Sequence, residues 1–282
     1  MRSKFEMNKI LVTGGSGMLG SDLCPILEQS GYNVLKTNSK TLDITDFNMT
    51  NNVINEFMPD VIIHCAAYTN VEKAQEDLQS VKNVNEYGTE NISKICNEND
   101  IVLMYISTDY VFDGNKKTPY TKSDLPNPLN NYGLTKFHGE QLVQKYCKKF
   151  YICRTSWLYG HNGKNFVETM LNLATKNQNI KVVDDQIGCP TWTVDLSHAL
   201  VDILRNKDYG IYNTCGGGET SWYGFAKEIF KLADLNVNLS PCTSVDFKQK
   251  ATRPKYSVMD NENLCRNWQD AIKDYMNLYH SK

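Results

Sequence analysis

The 282-residue chain is 41% hydrophobic, enough to bury a full core, which excludes a disordered chain, and the absence of an internal repeat excludes a solenoid. Its 30 basic and 32 acidic residues are well mixed and leave a net charge of −2. No long-range field therefore marks the chain as a nucleic-acid or membrane-surface binder, and partners have to be argued from sites.

Nine cysteines, odd in number, are scattered without a C-x-x-C pair, and several lie inside apolar runs where a thiol acts as a small hydrophobe. They point to reduced thiols and a cytoplasmic location. The opening "MRSKFEMNKI" lacks the apolar core of a secretory signal, and no segment approaches the ~20 apolar residues of a membrane span. Met7 is one candidate for the natural start, with residues 1–6 as an extension.

In chain order, the apolar runs "KILVT", "YNVLK", "VIIHCAA", "IVLMYIST" and "YICRTS" alternate with longer polar-amphipathic segments. Strands buried on both faces look like this, and crossover helices fit between them, so the fold class is α/β, a Rossmann-type doubly wound parallel sheet. The spacing of Leu78, Val81, Val84 or Asn85, Gly88, Ile92 and Ile95 predicts one helix from about 78 to 97. Past Arg154 the alternation decays, and Gly, Pro and Ser recur at short intervals, which predicts a smaller, irregular lobe of loops and helices. The expected division is a dinucleotide-binding domain over 8–157, completed by segments near 180–215, with 158–282 forming most of a substrate lobe interleaved with it.

Between the first strand and its helix, "TGGSGMLGSDL" places Gly14, Gly15, Gly17 and Gly20. Glycine allows a tight turn and close approach of backbone amides to a pyrophosphate, and the helix N-terminus adds favourable partial charge. Two spacings coexist: G-x-G-x-x-G from Gly15, Gly17 and Gly20, and G-x-x-G-x-x-G from Gly14, Gly17 and Gly20. The second strand closes on "VLKTNSK", with no acid to grip an adenosine ribose, so nothing repels a 2′-phosphate; NADPH is expected to be accepted at least as well as NADH.

The fourth strand ends in Ser107, Thr108 and Asp109. Further on, "NNYGLTKFHGE" sets Tyr132 and Lys136 one helical turn apart. A phenol with a reference pKa of about 10 is a poor proton donor or acceptor at neutral pH unless an ammonium stabilises its phenolate, and Lys136 is placed to do so and to reach a cofactor ribose. Tyr32/Lys36 and Tyr223/Lys227 repeat the spacing. The first pair falls in a strand, where four residues are too far apart for contact, and the second belongs to the irregular lobe.

These motifs, with "LDITD", "HCAAYTNVEKAQ", "STDYVFDG", "RTSWLYG", "DDQIGCPT" and "TRPKYSVMD", cover most of the chain in order and resemble the extended short-chain dehydrogenase/reductases, most nearly the dTDP-4-dehydrorhamnose reductase family. The resemblance implies a catalytic Thr108, Tyr132 and Lys136, and NAD(P)H-dependent reduction of the C4 ketone of dTDP-4-dehydro-L-rhamnose to dTDP-L-rhamnose. It implies cofactor contacts at Gly14, Gly17, Met18, Leu19, Gly20, Asp43, Ile44, Ala67, Tyr68 and Thr69 as well as Tyr132 and Lys136. Substrate contacts are implied at Thr108, Asp109, Trp157 and Arg253, the last apt for gripping a pyrophosphate. No metal is expected, since the five histidines are dispersed. A dTDP-sugar is the expected partner, with a homodimer left open.

Two rival readings share the scaffold. A sugar-nucleotide dehydratase or epimerase recycles its hydride, but the dehydratases of the superfamily carry Thr-Asp-Glu where this chain has Thr108, Asp109 and Tyr110. A non-catalytic NADP-binding regulatory subunit would not need the intact Tyr132 and Lys136.

Overall fold

The computed structural model describes residues 7–247 and 249–280, so residues 1–6, and with them the question of the natural start, lie outside it. In chain order the elements are β1 (Lys9–Thr13), α1 (Met18–Gln29), β2 (Asn33–Lys36), α2 (Phe47–Phe57), β3 (Val61–His64), α3 (Val71–Glu76), α4 (Leu78–Lys82), a π-helical turn (Asn83–Gly88), α5 (Thr89–Glu98) and β4 (Val102–Thr108). They continue through α6 (Asn131–Tyr146), β5 (Phe150–Thr155), β6 (Leu158–Tyr159), α7 (Phe166–Ala174), β7 (Asn179–Val183), β8 (Ile187–Gly188) and β9 (Thr191–Trp192). The last are α8 (Thr193–Asn206), β10 (Gly210–Asn213), β11 (Thr220–Ser221), α9 (Trp222–Leu232), β12 (Asn238–Cys242) and α10 (Trp268–His280).

Six parallel strands form the central sheet in the order β10-β5-β4-β3-β1-β2. Every residue of β3 and β4 is buried, as the unbroken apolar runs demand of strands covered on both faces, whereas β2, at the edge, is half exposed. One face packs Ile10, Val12, Val61, Ile63 and Met104 against α1 and α8 through Leu23, Leu27, Leu196 and Leu200. The other packs Leu11, Ile62, Leu103 and Ile152 against α5 and α6 through Ile92, Ile95 and Val143. Each such fully buried aliphatic side chain contributes roughly 1.5–3 kcal/mol.

The return to the sheet begins at 193, with α8 and β10. The segment from 179 to 183 is β7, which pairs with β12 outside the main sheet. The rest of the C-terminal lobe is more helical than its turn residues suggest. Helices α7, α9 and α10 share an apolar cluster that includes Tyr159, Phe225, Ile229, Trp268 and Tyr275. Tyr223 and Lys227 therefore do lie on one helix, α9, but in this lobe and not at the end of the sheet.

The single helix expected over 78–97 is instead α4, the π turn and α5 in succession. Two local contacts account for the widened turn. Gly88 lies where a Cβ would meet the Ile44 side chain at 2.7 Å. Asn85 is buried: its Oδ1 accepts from the Tyr68 amide (2.8 Å), and its Nδ2 donates to the Tyr68 carbonyl and the Thr135 hydroxyl (both 3.2 Å). An inward-facing Asn that clamps the segment after β3 against α6 is a reason for π geometry at a working site.

Candidate active site

A cavity of about 790 Å³ opens at the carboxyl ends of β1, β3 and β4, on either side of the point where the strand order reverses, which is where open α/β sheets bind ligands. Its floor on the β1 side is the glycine turn. Gly14 has φ +64°, and a Cβ there would lie 2.8 Å from the Ala66 amide nitrogen; at Gly20 a Cβ would meet the Gly15 Cα at 2.4 Å. The Gly17 position caps α1 without any side-chain hydrogen bond, and the first turn carries no acid, so the helix presents bare amides to the cavity. A pyrophosphate fits this cradle.

Gly14, Gly17, Met18, Leu19, Gly20, Asp43, Ile44, Ala67, Tyr68 and Thr69 all line the cavity, as do Asn38 and Ser39 just past β2. Thr37 does not: it is buried, and its hydroxyl donates to the Val12 carbonyl at 3.1 Å. Asp43 holds the turn into α2 by accepting from the Thr45 amide (2.9 Å) and hydroxyl (2.8 Å).

Thr108, Tyr132 and Lys136 line the same cavity, with Asp109 and Trp157. Asn130 caps α6 by accepting from the Gly133 amide (2.9 Å), so Tyr132 sits in the first turn of the helix and Lys136 in the next. Gly133 is required here, because a Cβ would fall 2.1 Å from the Tyr110 carbonyl. That close approach brings the turn after β4 and the start of α6 together, and sets Thr108 near enough to the Tyr132 phenol to pull against the upward push of burial.

The expected pairing of Lys136 with Tyr132 is not the contact the structure makes. Lys136 Nζ lies 3.9 Å from the centroid of the Tyr105 ring, a cation–π arrangement on the floor formed by β4. Burial brings Lys136 down to about 7, opposed by Glu140 and Cys65. Tyr132 is pushed above its ordinary value, chiefly by burial, with Thr108 pulling the other way; Lys136 does not lower it in this geometry. Burial likewise takes His64 down to about 3, a neutral core histidine between the hydroxyls of Thr13 (2.7 Å) and Thr89 (3.2 Å).

Asp109 is buried and accepts from Ser257 (2.6 Å) and Thr108 (3.0 Å), while desolvation raises it to about 7. Arg253 stands apart from the residues that line the cavity. Its Nη2 pairs with Glu72 Oε1 at 2.7 Å, and it touches the hydroxyl of Tyr110, a lining residue whose ring meets Tyr132 edge-on at 5.8 Å. Arg253→Ala tests the substrate contact that the resemblance implies: a substrate KM raised about tenfold with kcat little changed supports it, and an unchanged KM in steady-state kinetics confines Arg253 to its ion pair with Glu72.

Several residues at the site escaped the sequence reading. Trp222 stacks on Trp157 with centroids 3.5 Å apart and planes 6° apart, and both rings line the cavity. Trp157 adopts φ +46°, rare for a bulky residue, and Gly188 leaves room for its indole, since a Cβ there would lie 2.5 Å away. Behind Ser107, Glu140 is fully buried and accepts from Ser107 (2.6 Å) and from Arg154 Nε (2.9 Å) and Nη2 (2.7 Å). Loss of one partner from such a pair costs about 3–5 kcal/mol by stranding a buried charge. A possible signal for Glu140 was its place one turn past Lys136; Trp222 had none, because it arrives from the other lobe. Among the described residues no group of three or more His, Cys, Asp or Glu is arranged to hold a metal ion, and no helix is long and apolar enough to cross a membrane.

A doubly wound sheet with a glycine-turn cradle on one side of a single cavity and a Thr, Tyr and Lys set on the other defines an NAD(P)-dependent short-chain dehydrogenase/reductase of the extended type. The sequence comparison is more specific: residues 7–280 match the family described as "RmlD substrate binding domain", and the chain belongs to that family. It is 37% identical to a dTDP-4-dehydrorhamnose reductase from Aggregatibacter actinomycetemcomitans, over 95% of this chain and 98% of the relative. Among solved structures, it matches a dTDP-4-dehydrorhamnose reductase from Clostridium acetobutylicum (TM-score 0.94, 40% identity, 96% of this chain and 99% of that one). It matches equally a Bacillus anthracis dTDP-4-dehydrorhamnose reductase in complex with NADP (TM-score 0.94, 36% identity, 96% and 99% covered).

Proposed function

We propose that this protein reduces the C4 ketone of dTDP-4-dehydro-L-rhamnose to dTDP-L-rhamnose, the last step of dTDP-rhamnose synthesis. Bound NADPH supplies the hydride, and its phosphates fit the bare amides of α1 and the turn from Gly14 to Gly17. The chain's own residues do the rest. Tyr132 donates the proton to the developing alkoxide, Thr108 holds that oxygen, and Lys136 brings the positive charge of the site. Fixing the ketone between Thr108 and Tyr132 supplies the orientation.

The observation that carries reduction over dehydration is Tyr110. It stands where elimination of water needs a second acid, and it offers a phenol packed edge-on against Tyr132 in place of the carboxylic acid that step uses. The nine free thiols fit the proposed cytoplasmic setting.

The test is stoichiometric NADPH oxidation with enzymatically generated dTDP-4-dehydrorhamnose, with UDP-keto sugars as controls. Turnover without net NADPH loss would favour an epimerase or dehydratase instead. In the same assay kcat/KM with NADPH is expected to equal or exceed that with NADH, because Thr37, Asn38 and Ser39 put no carboxylate beside the ribose; a strong preference for NADH would sink that expectation.

A further inference from the structure

Among the described residues, Trp222 is the only one past Leu158 that lines the cavity, so the C-terminal lobe reaches the site through that one side chain. Its mounting is firm. β11 pairs antiparallel with β8, setting Thr220 opposite Gly188 and Ser221 opposite Ile187. Ser221 caps α9 and donates its hydroxyl to Asp184, and Phe166 on α7 meets the Trp222 ring with centroids 4.6 Å apart. Trp222 in turn stacks on Trp157, whose left-handed backbone is held with its indole seated against Gly188. A backbone conformation this rare in a bulky residue persists where its surroundings over-determine it, and such residues cluster at ligand sites. Both indoles are only partly buried, so the pair keeps apolar surface open to the cavity.

We propose that Trp222 is a substrate-binding residue, and that the Trp157 and Trp222 indoles together form the apolar wall on which the hexose ring of the sugar nucleotide packs. The inference rests on the reductase reading above and adds to it a contact from the second lobe.

The strand register decides which part of the substrate meets the wall. β4 and β5 pair so that Thr155 lies beside Thr108. Trp157 follows two residues later, so the wall begins next to the hydroxyl assigned to the reacting oxygen. The ring that carries the ketone is therefore the part within reach, while the cofactor's phosphates belong to the glycine turn after β1, on the other side of the cavity. A hexose carries C–H groups on its faces and hydroxyls on its rim, so an indole surface can bury the first without stranding the second.

The experiment titrates wild type, Trp222→Phe, Trp222→Leu and Trp222→Ala with dTDP-L-rhamnose, with dTDP and with NADPH by calorimetry, the fold of each checked by thermal melting. Trp222→Leu and Trp222→Ala are expected to bind dTDP-L-rhamnose about tenfold more weakly, with dTDP and NADPH little changed; Trp222→Phe, which keeps a flat ring, stays near wild type for all three. An unchanged dTDP-L-rhamnose constant in a folded Trp222→Leu overturns the proposal and leaves Trp222 as packing between the lobes. An equal loss for dTDP also overturns it, by putting the wall under the nucleotide, and a matching loss for NADPH does so by putting it under the cofactor. Trp222→Leu keeps an apolar side chain against Phe166 and carries the test if Trp222→Ala does not fold. A wild type that binds dTDP-L-rhamnose but reduces no keto sugar refutes the proposed function, while the titrations still decide the role of Trp222; one that binds no dTDP-sugar overturns both.

Discussion

Replacing Tyr132 with Phe lowers kcat by two or more decades while the NADPH dissociation constant stays within a few-fold of wild type. The expectation follows from where the phenol sits. Its ring is fixed by the first turn of α6 and by edge-on contact with Tyr110, neither of which needs the hydroxyl. Phe therefore keeps the packing and removes the proton. Loss of a general acid is worth roughly 10²–10⁴ in rate. Thr108 remains in the variant, and its hydroxyl, turned from Asp109 to the alkoxide, still supplies one donor, which argues for residual turnover above background. Stopped-flow NADPH oxidation and a fluorescence titration of NADPH separate the two quantities. Near-normal turnover would remove Tyr132 from the mechanism; a large loss of NADPH affinity would mean its role is in binding.

The parts of this site that could be read in the sequence are those whose chemistry is local. The glycine turn announces itself because strand, turn and helix are contiguous, and Thr108 because a strand buried along its whole length has no other reason to end in hydroxyls. Spacing also brought Tyr132 and Lys136 to one cavity, but not to one another. A one-turn separation sets the two Cβ atoms on the same face, and the four-carbon stem of Lys136 then chose the Tyr105 ring.

What stayed hidden depends on which strands lie side by side. Glu140 and Arg154 meet only because β5 pairs with β4 in a register that sets Ser107 opposite Arg154. Trp222 meets Trp157 only when the second lobe closes over the sheet. The Gly-rich run before Trp222 reads as loop and is loop as far as β11, but its last residue, Ser221, accepts from the Gly224 amide at 2.9 Å and caps α9. The same residues that break one element start the next. Arg253 was legible as a cation suited to an anion, whereas its ion pair with Glu72 on α3 depends on tertiary contact alone.

Gly20→Ala is expected to weaken NADPH binding tenfold or more and to lower the melting temperature by several degrees, although the residue carries no functional group. The methyl would fall 2.4 Å from the Gly15 Cα, 2.6 Å from its carbonyl carbon and 2.6 Å from the Gly14 carbonyl oxygen. All three are backbone atoms of the turn that forms the cradle, so no rotamer change relieves the overlap. Either α1 withdraws from β1 or the turn opens, and overpacking of this kind costs about 1–3 kcal/mol in a rigid core. Withdrawal strains the contacts of Leu23 and Leu27 with the sheet and carries the bare amides of the α1 N-terminus away from the pyrophosphate. Stability and cofactor affinity should therefore fall together, with Tyr132 and Lys136 untouched. Saturating NADPH should recover most of kcat, which distinguishes the variant from Tyr132→Phe. If affinity is unchanged while stability falls, the third glycine serves helix packing alone, and the cradle for the phosphates is confined to Gly14 through Gly17.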